Sequence, residues 1–298
     1  MEKKMLLIYN PVSGKAQIKT YLAEIITVFT LKGYQVTVHP TSKAKDGYDY
    51  ILSNAEYFDV ISVCGGDGML NEALNALMLI DESKRPPVAF LPSGSTNDFA
   101  STVGIPLDVR NAAKMVVDGK PFFCDAGKFN DNYFAYVAAF GAFTSVAYDT
   151  AQEFKNVFGH LAYILEGIRQ LPTIKAHHMK ITFDTNVIEG DFILGMVTNS
   201  LQIGGMKNTI GTAISLNDGL FEVLLIKKPP NALALQSMLT ELVAPNLSIN
   251  NDEIIKFKAS EILFESENEI PWTLDGEFGG NVNSATIKNI HRAFAVMV

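Results

Sequence analysis

The sequence predicts an α/β domain built on a parallel sheet, followed by an antiparallel β-sandwich. Three observations lead there. Strand-like and helix-like patterns alternate through the first 120 or so residues, as crossover connections require. From Thr173 onward strand follows strand, with turn chemistry between them. At 298 residues the chain has the length of two domains rather than one.

The elements follow in order. Met5–Tyr9 is a short apolar run that stops at Asn10-Pro11, as a buried strand would. Ile18, Tyr21, Leu22, Ile25 and Phe29 recur at helical spacing, so Ala16–Lys32 reads as an amphipathic helix closed by Gly33. Gln35–His39 and Asp59–Cys64 are the next strands, and the second runs into Gly65-Gly66. A helix is expected over Asn71–Leu79, a strand over Val88–Leu91, and a helix over Val109–Asp118. The pattern then changes, which puts the domain boundary near residue 125. Phe122–Gly127 and Tyr133–Phe140 read as consecutive strands, and Val157–Arg169 as a helix. Strands are expected over His178–Phe183, Val187–Val197, Gly219–Ile226, Ile254–Phe264, Ser284–Lys288 and Arg292–Val298. Ala232–Leu242 is a helix-like interruption. Asp184–Asn186 and Asn217-Asp218-Gly219 carry hairpin-turn chemistry.

Composition narrows the function classes. A chain that is 48% hydrophobic can bury a sizeable core, which excludes whole-chain disorder. The net charge of −8 disfavours a nucleic-acid coat and electrostatic anchoring to an anionic membrane. Two cysteines, Cys64 and Cys124, read as buried free thiols of a reducing compartment rather than a disulfide framework. No segment reads as an export signal or a membrane span, so a cytoplasmic location is expected.

Three polar loops follow strands of the first domain: Asn10-Pro11-Val12-Ser13-Gly14, Gly65-Gly66-Asp67-Gly68, and Ser93-Gly94-Ser95-Thr96-Asn97-Asp98. In an open α/β sheet, ligands sit at the carboxyl ends of strands, so these loops should line one crevice. Glycines let the backbone approach a phosphate, and following helix N-termini supply N–H groups. A P-loop is excluded, because Tyr9 stands where its first Gly belongs and Ala16 where its hydroxyl belongs. The dinucleotide fingerprint lacks its third Gly, with Asn71 in that place. Asp67 would repel a pyrophosphate unless Mg²⁺ lay between, which favours a Mg-nucleotide.

These loops resemble the signature segments of the diacylglycerol kinase catalytic-domain family, above all its soluble bacterial lipid kinases. Two later segments extend the resemblance over essentially the whole chain, in the right order. Asn217-Asp218-Gly219-Leu220-Phe221 is similar to the family's metal-site turn, and Leu274-Asp275-Gly276-Glu277 to its catalytic segment. The resemblance implies a Rossmann-like nucleotide-binding domain over residues 1–125, joined by a returning C-terminal strand at 290–298. A β-sandwich domain over 126–289 would complete the fold, with the site in the cleft between the two.

The resemblance also implies transfer of the ATP γ-phosphoryl group to a lipid hydroxyl, that of diacylglycerol or a related lipid. Asn10, Pro11, Val12, Ser13, Gly14 and Thr41 would line the nucleotide site. Gly65, Gly66, Asp67, Gly68, Met69, Leu70 and Asn71 would hold the phosphates, with Asp67 acting through Mg²⁺. Ser95, Asn97 and Asp98 would close the pocket. Glu277 or Asp275 would be the general base, Glu277 the first choice. Asp218, with backbone oxygens of Ser215 and Leu220, would bind a further Mg²⁺. The expected partners are ATP, a lipid alcohol and a transient contact with the inner membrane face, with a homodimer left open and no nucleic acid.

Three positions depart from the family pattern. Met69 replaces the usual Thr and loses a hydroxyl, Ser95 replaces a Thr and keeps one, and Asn217 replaces an Asp. Plainer readings stand beside the functional ones. Gly65–Gly68 also suits a tight strand-to-helix turn with Asp67 as its cap. Asn217–Gly219 and Asp275–Glu277 also suit ordinary turns. The aromatics Tyr133, Phe134, Tyr136, Phe140 and Phe143 read as core ahead of a lipid pocket, and the stripe Leu161, Ile164, Leu165 and Ile168 as packing, a candidate lipid contact where exposed near the cleft. The rival functions are a soluble-substrate kinase of the same superfamily, such as an NAD kinase, and a non-catalytic nucleotide- or lipid-binding regulator.

Overall fold

A computed structural model describes residues 3–12, 17–141, 175–200, 202, 203, 206, 207, 214–231, 233, 234, 238 and 252–298. The first region alternates β1 (Lys3–Tyr9), α1 (Gln17–Leu31), β2 (Tyr34–Pro40), α2 (Asp46–Asn54), β3 (Val60–Gly65), α3 (Asp67–Leu77), β4 (Val88–Pro92), α4 (Asp98–Val103) and α5 (Val109–Asp118). The second holds β5 (Pro121–Phe129), β6 (Asn132–Phe134), β7 (Val137–Gly141), β8 (His177–Phe183), β9 (Asn186–Thr198), β10 (Gln202–Ile203), β11 (Met206–Lys207), β12 (Phe221–Lys227), β13 (Ile254–Ala259), β14 (Glu261–Leu274) and β15 (Glu277–Met297).

β2, β1, β3 and β4 lie side by side and parallel, in that order. Every residue of β3 and β4 is buried, because a parallel sheet is covered on both faces. α1 turns Ile18, Ile25 and Phe29 onto this sheet, and Gly33 ends the connection at φ 84°. Asp108 caps α5 by accepting the Asn111 N–H at 3.0 Å. Cys64 and Cys124 are buried free thiols, and burial pushes both up to about 12.

The second region is antiparallel. β9 and β14 are long enough for β7 and β8 to share each of them, beside a third neighbour, β12 on β9 and β15 on β14. Residues 194–198 of β9 pair with β7, and residues 186–192 pair with β8. Residues 272–274 of β14 pair with β7, and residues 262–265 pair with β8. The four strands thereby close a ring around an aromatic core in which Trp272 touches Phe129, Phe140 and Phe264. β15 joins the regions: it runs antiparallel to β14 and β5, and its Val296 pairs with Val88 of β4 in parallel.

Several elements differ from the sequence reading. α2 lies in a stretch given no element from the sequence, and α4 begins inside a segment read as a loop. α2 turns only Gly47 and Ile51 to the core, too few for a periodic stripe. α3 starts at Asp67 rather than Asn71, because Gly66 serves as its N-cap. Tyr133–Phe140 is two strands, β6 and β7, around a turn tied to Asp275. Ile254–Phe264 breaks at Ser260 into β13 and β14. Ser284–Lys288 and Arg292–Val298 are parts of one strand, β15. Its register shifts after Ile290, where Arg292 has φ 50° and buried Asp125 accepts the Arg292 N–H at 2.7 Å. The expected helix Val157–Arg169, with its apolar stripe, and Phe143 lie outside the described residues, as does most of Ala232–Leu242.

Candidate active site

The carboxyl ends of β1, β3 and β4 bring their loops together. The Asn10 N–H donates to the Cys64 carbonyl at 3.2 Å, and Thr41 N–H to the Tyr9 carbonyl at 2.9 Å. The Ser93 N–H donates to the Gly65 carbonyl at 2.8 Å. Gly66 and Gly94 then meet backbone to backbone: a Cβ on Gly94 would lie 2.5 Å from the Gly66 Cα. Larger residues would push these two loops apart. Asn97, at φ 53°, closes its own loop by pairing its amide with both the N–H and the carbonyl of Gly94, each at 2.9 Å.

Asp67 is the first residue of α3 and is 8% exposed. Its carboxylate accepts the Asp98 N–H at 3.2 Å, the Phe99 N–H at 3.4 Å and the Thr96 hydroxyl at 3.4 Å. Burial, then the charge of Asp98, pushes its carboxyl up to about 6. Such a carboxylate gains from a nearby cation. Buried Tyr136 stands close by, held well above its usual range by burial and then by Asp67, Asp275, Asp98 and Glu277.

Leu274–Glu277 is a two-residue hairpin, with Asp275 at φ 52° and Gly276 at φ 86°. Asp275 points inward and is 3% exposed. It accepts bonds from the N–H groups of Ala135, Tyr136 and Val137 and from the Asn71 amide at 2.8 Å. Burial nonetheless raises its carboxyl above the usual range, against the pull of those bonds. Glu277 points the other way and is exposed. It stands over the start of α3, so a Cβ on Gly68 would lie 2.7 Å from its Oε1.

These segments surround a cleft of about 1060 Å³. Of the residues singled out from sequence, Asn10, Pro11, Val12, Thr41, Gly66, Gly68, Met69, Asn71, Ser95 and Glu277 line it. Gly65, Asp67, Leu70, Asn97, Asp98 and Asp275 form the wall behind, and Ser13 and Gly14 lie outside the described residues. Met69 packs under Gly65, where a Cβ would be 2.6 Å from its sulfur. Apolar side chains also line the cleft: Leu79, Tyr133, Leu274 and Phe278. Lys43, Lys45, Tyr48 and Glu72 also line the cleft and escaped the sequence reading.

The turn at 215–220 is built around another buried carboxylate. Asp125 is fully buried and accepts the Gly219 N–H at 2.7 Å and the Asn289 amide at 3.2 Å. Asp218 accepts the Leu220 N–H at 3.1 Å and lies 3.7 Å from the Lys258 ammonium. Lys258 also pairs with buried Glu222 at 2.8 Å. A divalent cation on Asp218 would therefore compete with a cation the protein already supplies. Among the described residues no three His, Cys, Asp or Glu side chains cluster as a metal cage, and no helix is long and apolar enough to cross a membrane.

Known proteins share this arrangement. The family model described as the diacylglycerol kinase catalytic domain matches residues 4–129. The YegS C-terminal NAD kinase beta sandwich-like domain matches residues 137–298. A diacylglycerol kinase of Bacillus subtilis is 33% identical over 298 residues, covering 99% of this chain and 96% of the relative. One from Staphylococcus aureus is 33% identical, covering 98% and 91%. The crystal structure of a diacylglycerol kinase from Bacillus anthracis superposes with a TM-score of 0.79 at 25% identity, covering 99% of this chain and 96% of that one. Another solved Bacillus anthracis chain gives a TM-score of 0.84 at 28% identity, covering 99% and 95%. With both halves matched and relatives aligned end to end, the chain belongs to the diacylglycerol kinase family.

Proposed function

We propose that the protein is an ATP-dependent lipid kinase that transfers the γ-phosphoryl group to the hydroxyl of diacylglycerol or a related lipid. One observation carries the reading. Glu277 stands over the Gly68 backbone, in a cleft lined both by the Gly-rich loops and by the apolar side chains of Leu79, Tyr133, Leu274 and Phe278. That is where a base must sit to serve both a phosphate and a lipid alcohol.

In this reading the backbone of Gly66, Gly68 and Gly94 lets the phosphates approach, and the start of α3 adds N–H groups. Glu277 takes the proton of the acceptor hydroxyl as its oxygen bonds to the γ-phosphorus. The bond from that phosphorus to the bridging oxygen breaks, and ADP leaves. Most of the protein's contribution is positioning and charge neutralisation. Asp67, with Asp98 beside it, would hold Mg²⁺ for the nucleotide, because its strained charge favours a cation. When bound, the ion would screen the phosphate charge. Asp275 works as a positioning residue, fixing Asn71 and the β6–β7 turn around the base.

The test is purified protein with labelled ATP, Mg²⁺ and a panel of lipid alcohols, beside a Glu277→Gln control. Labelled lipid from the wild type alone is the expected result. No labelled lipid above the control would sink the reading.

A further inference from the structure

We propose that Lys43 and Lys45 bind the polyphosphate of the nucleotide, forming the cationic side of its site. This rests on the kinase reading and extends it to residues that no signature loop contains.

The first observation is charge. Among the described cleft-lining residues, Glu72, Asp131 and Glu277 carry negative side chains, and Lys43 and Lys45 carry the positive ones. A nucleoside triphosphate brings about four more negative charges into this acidic space, and one Mg²⁺ cancels only half of them. Cations on the protein must meet the remainder. Neither lysine forms an ion pair within the protein among the described residues, so both ammonium groups remain available.

The second observation is that the loop carrying them is fixed before any ligand arrives. Asp46 accepts the Ser42 N–H at 2.6 Å, the Ser42 hydroxyl at 2.8 Å and the His39 ring at 3.2 Å. The His39 ring stacks on Tyr50 with centroids 3.9 Å apart. The Lys45 N–H donates to Glu72 at 2.9 Å, which ties the loop to α3, the helix that begins at Asp67. Backbone order of this kind holds two flexible side chains over the cleft.

The third observation is strain. Lys45 sits at φ 64°, a left-handed conformation that residues with a Cβ adopt less readily than glycine.

Equilibrium binding of a non-hydrolysable Mg-ATP analogue, beside adenosine, tests the assignment. Lys43→Gln and Lys45→Gln should each weaken the analogue by about tenfold and leave adenosine unchanged. Lys45→Gly should match Lys45→Gln in affinity while melting no lower than wild type, which separates charge from strain. The salt dependence of analogue binding should flatten in the double variant. Lys288→Gln, on β15 outside the cleft lining, serves as the control and should bind like wild type. A double variant that binds the analogue normally would overturn the assignment and leave the kinase reading intact. Equal losses for analogue and adenosine would also overturn it, by showing a structural role. A raised KM for lipid with unchanged nucleotide affinity would overturn it by moving the lysines to the acceptor. A wild type that binds no Mg-nucleotide would overturn both readings.

Discussion

Asp275 and Glu277 stand two residues apart on one hairpin and have opposite surroundings. Asp275 is 3% exposed and answers four protein donors, whereas Glu277 is exposed and faces the cleft. The same contrast divides the whole site. Its wall, with Asp67, Asn97, Asp98 and Asp275, is buried and bonded within the protein. Its open side, with Ser95, Lys43, Lys45 and Glu277, presents side chains to whatever enters. A carboxylate already holding several N–H groups is poorly placed to take a proton from a substrate. An exposed one has that capacity free, so sequence proximity says little about role.

Replacing the open carboxylate tests this division most severely. Glu277→Gln should lower kcat by about 10²- to 10⁴-fold, the usual contribution of a general base, with the melting temperature unchanged. Steady-state kinetics beside thermal unfolding would check it. A loss of activity under tenfold would break the comparison, because the base would then lie elsewhere.

Asp275→Ala should do the reverse and act first on stability. It strands the N–H groups of Ala135, Tyr136 and Val137 and the Asn71 amide. Stranding buried donors costs about 1–3 kcal/mol each before relaxation, so a loss of roughly 3 kcal/mol or more is expected in urea unfolding. A variant as stable as wild type but inactive would move Asp275 to the open side and return it to the role of base.

The contrast also explains what the sequence reveals. The all-apolar runs of β3 and β4 and the Gly-rich loops after them are local patterns, and they locate one wall of the cleft without coordinates. Asp275 is legible as part of an Asp-Gly turn and as a candidate acid, but its four donors come from Asn71 and from Ala135 to Val137, far away in sequence. α2 hides because it turns so little to the core. Lys43 and Lys45 look like ordinary solvated charges until the fold sets them on the cleft. Met69 reads as a lost hydroxyl, and only the packing of its sulfur beneath Gly65 shows what it fills.

Asp67 lies in the wall yet is assigned a cation, so pH sharpens the comparison at that point. Burial and Asp98 raise its carboxyl to about 6, against an ordinary value of 3.8. The ionised form is the one that would hold Mg²⁺, so protons would compete with the metal below that pH. Mg-nucleotide affinity should be flat above about pH 7 and fall up to tenfold per unit below pH 6. Asp67→Asn should remove that dependence along with most of the Mg²⁺-dependent affinity. A wild-type titration flat down to pH 5 would take the metal away from Asp67.

Phe278 gives the smallest effect and bears most directly on the acceptor. It follows Glu277 on the strand, lines the cleft and is 63% exposed. Leu79, also on the cleft, is 58% exposed. Exposed aromatic surface contributes little to the fold, so Phe278→Ala should change unfolding free energy by less than about 0.5 kcal/mol. A lipid chain lying against that ring would bury part of it, a gain of about 1 kcal/mol at ~25 cal/mol per Å². The expected result is a roughly fivefold rise in KM for lipid, with kcat and nucleotide affinity unchanged. An unchanged KM would place the acyl chains on another surface. A drop in stability would mean that Phe278 belongs with the wall, and the boundary between the two halves of the site would then run through the residue after the base.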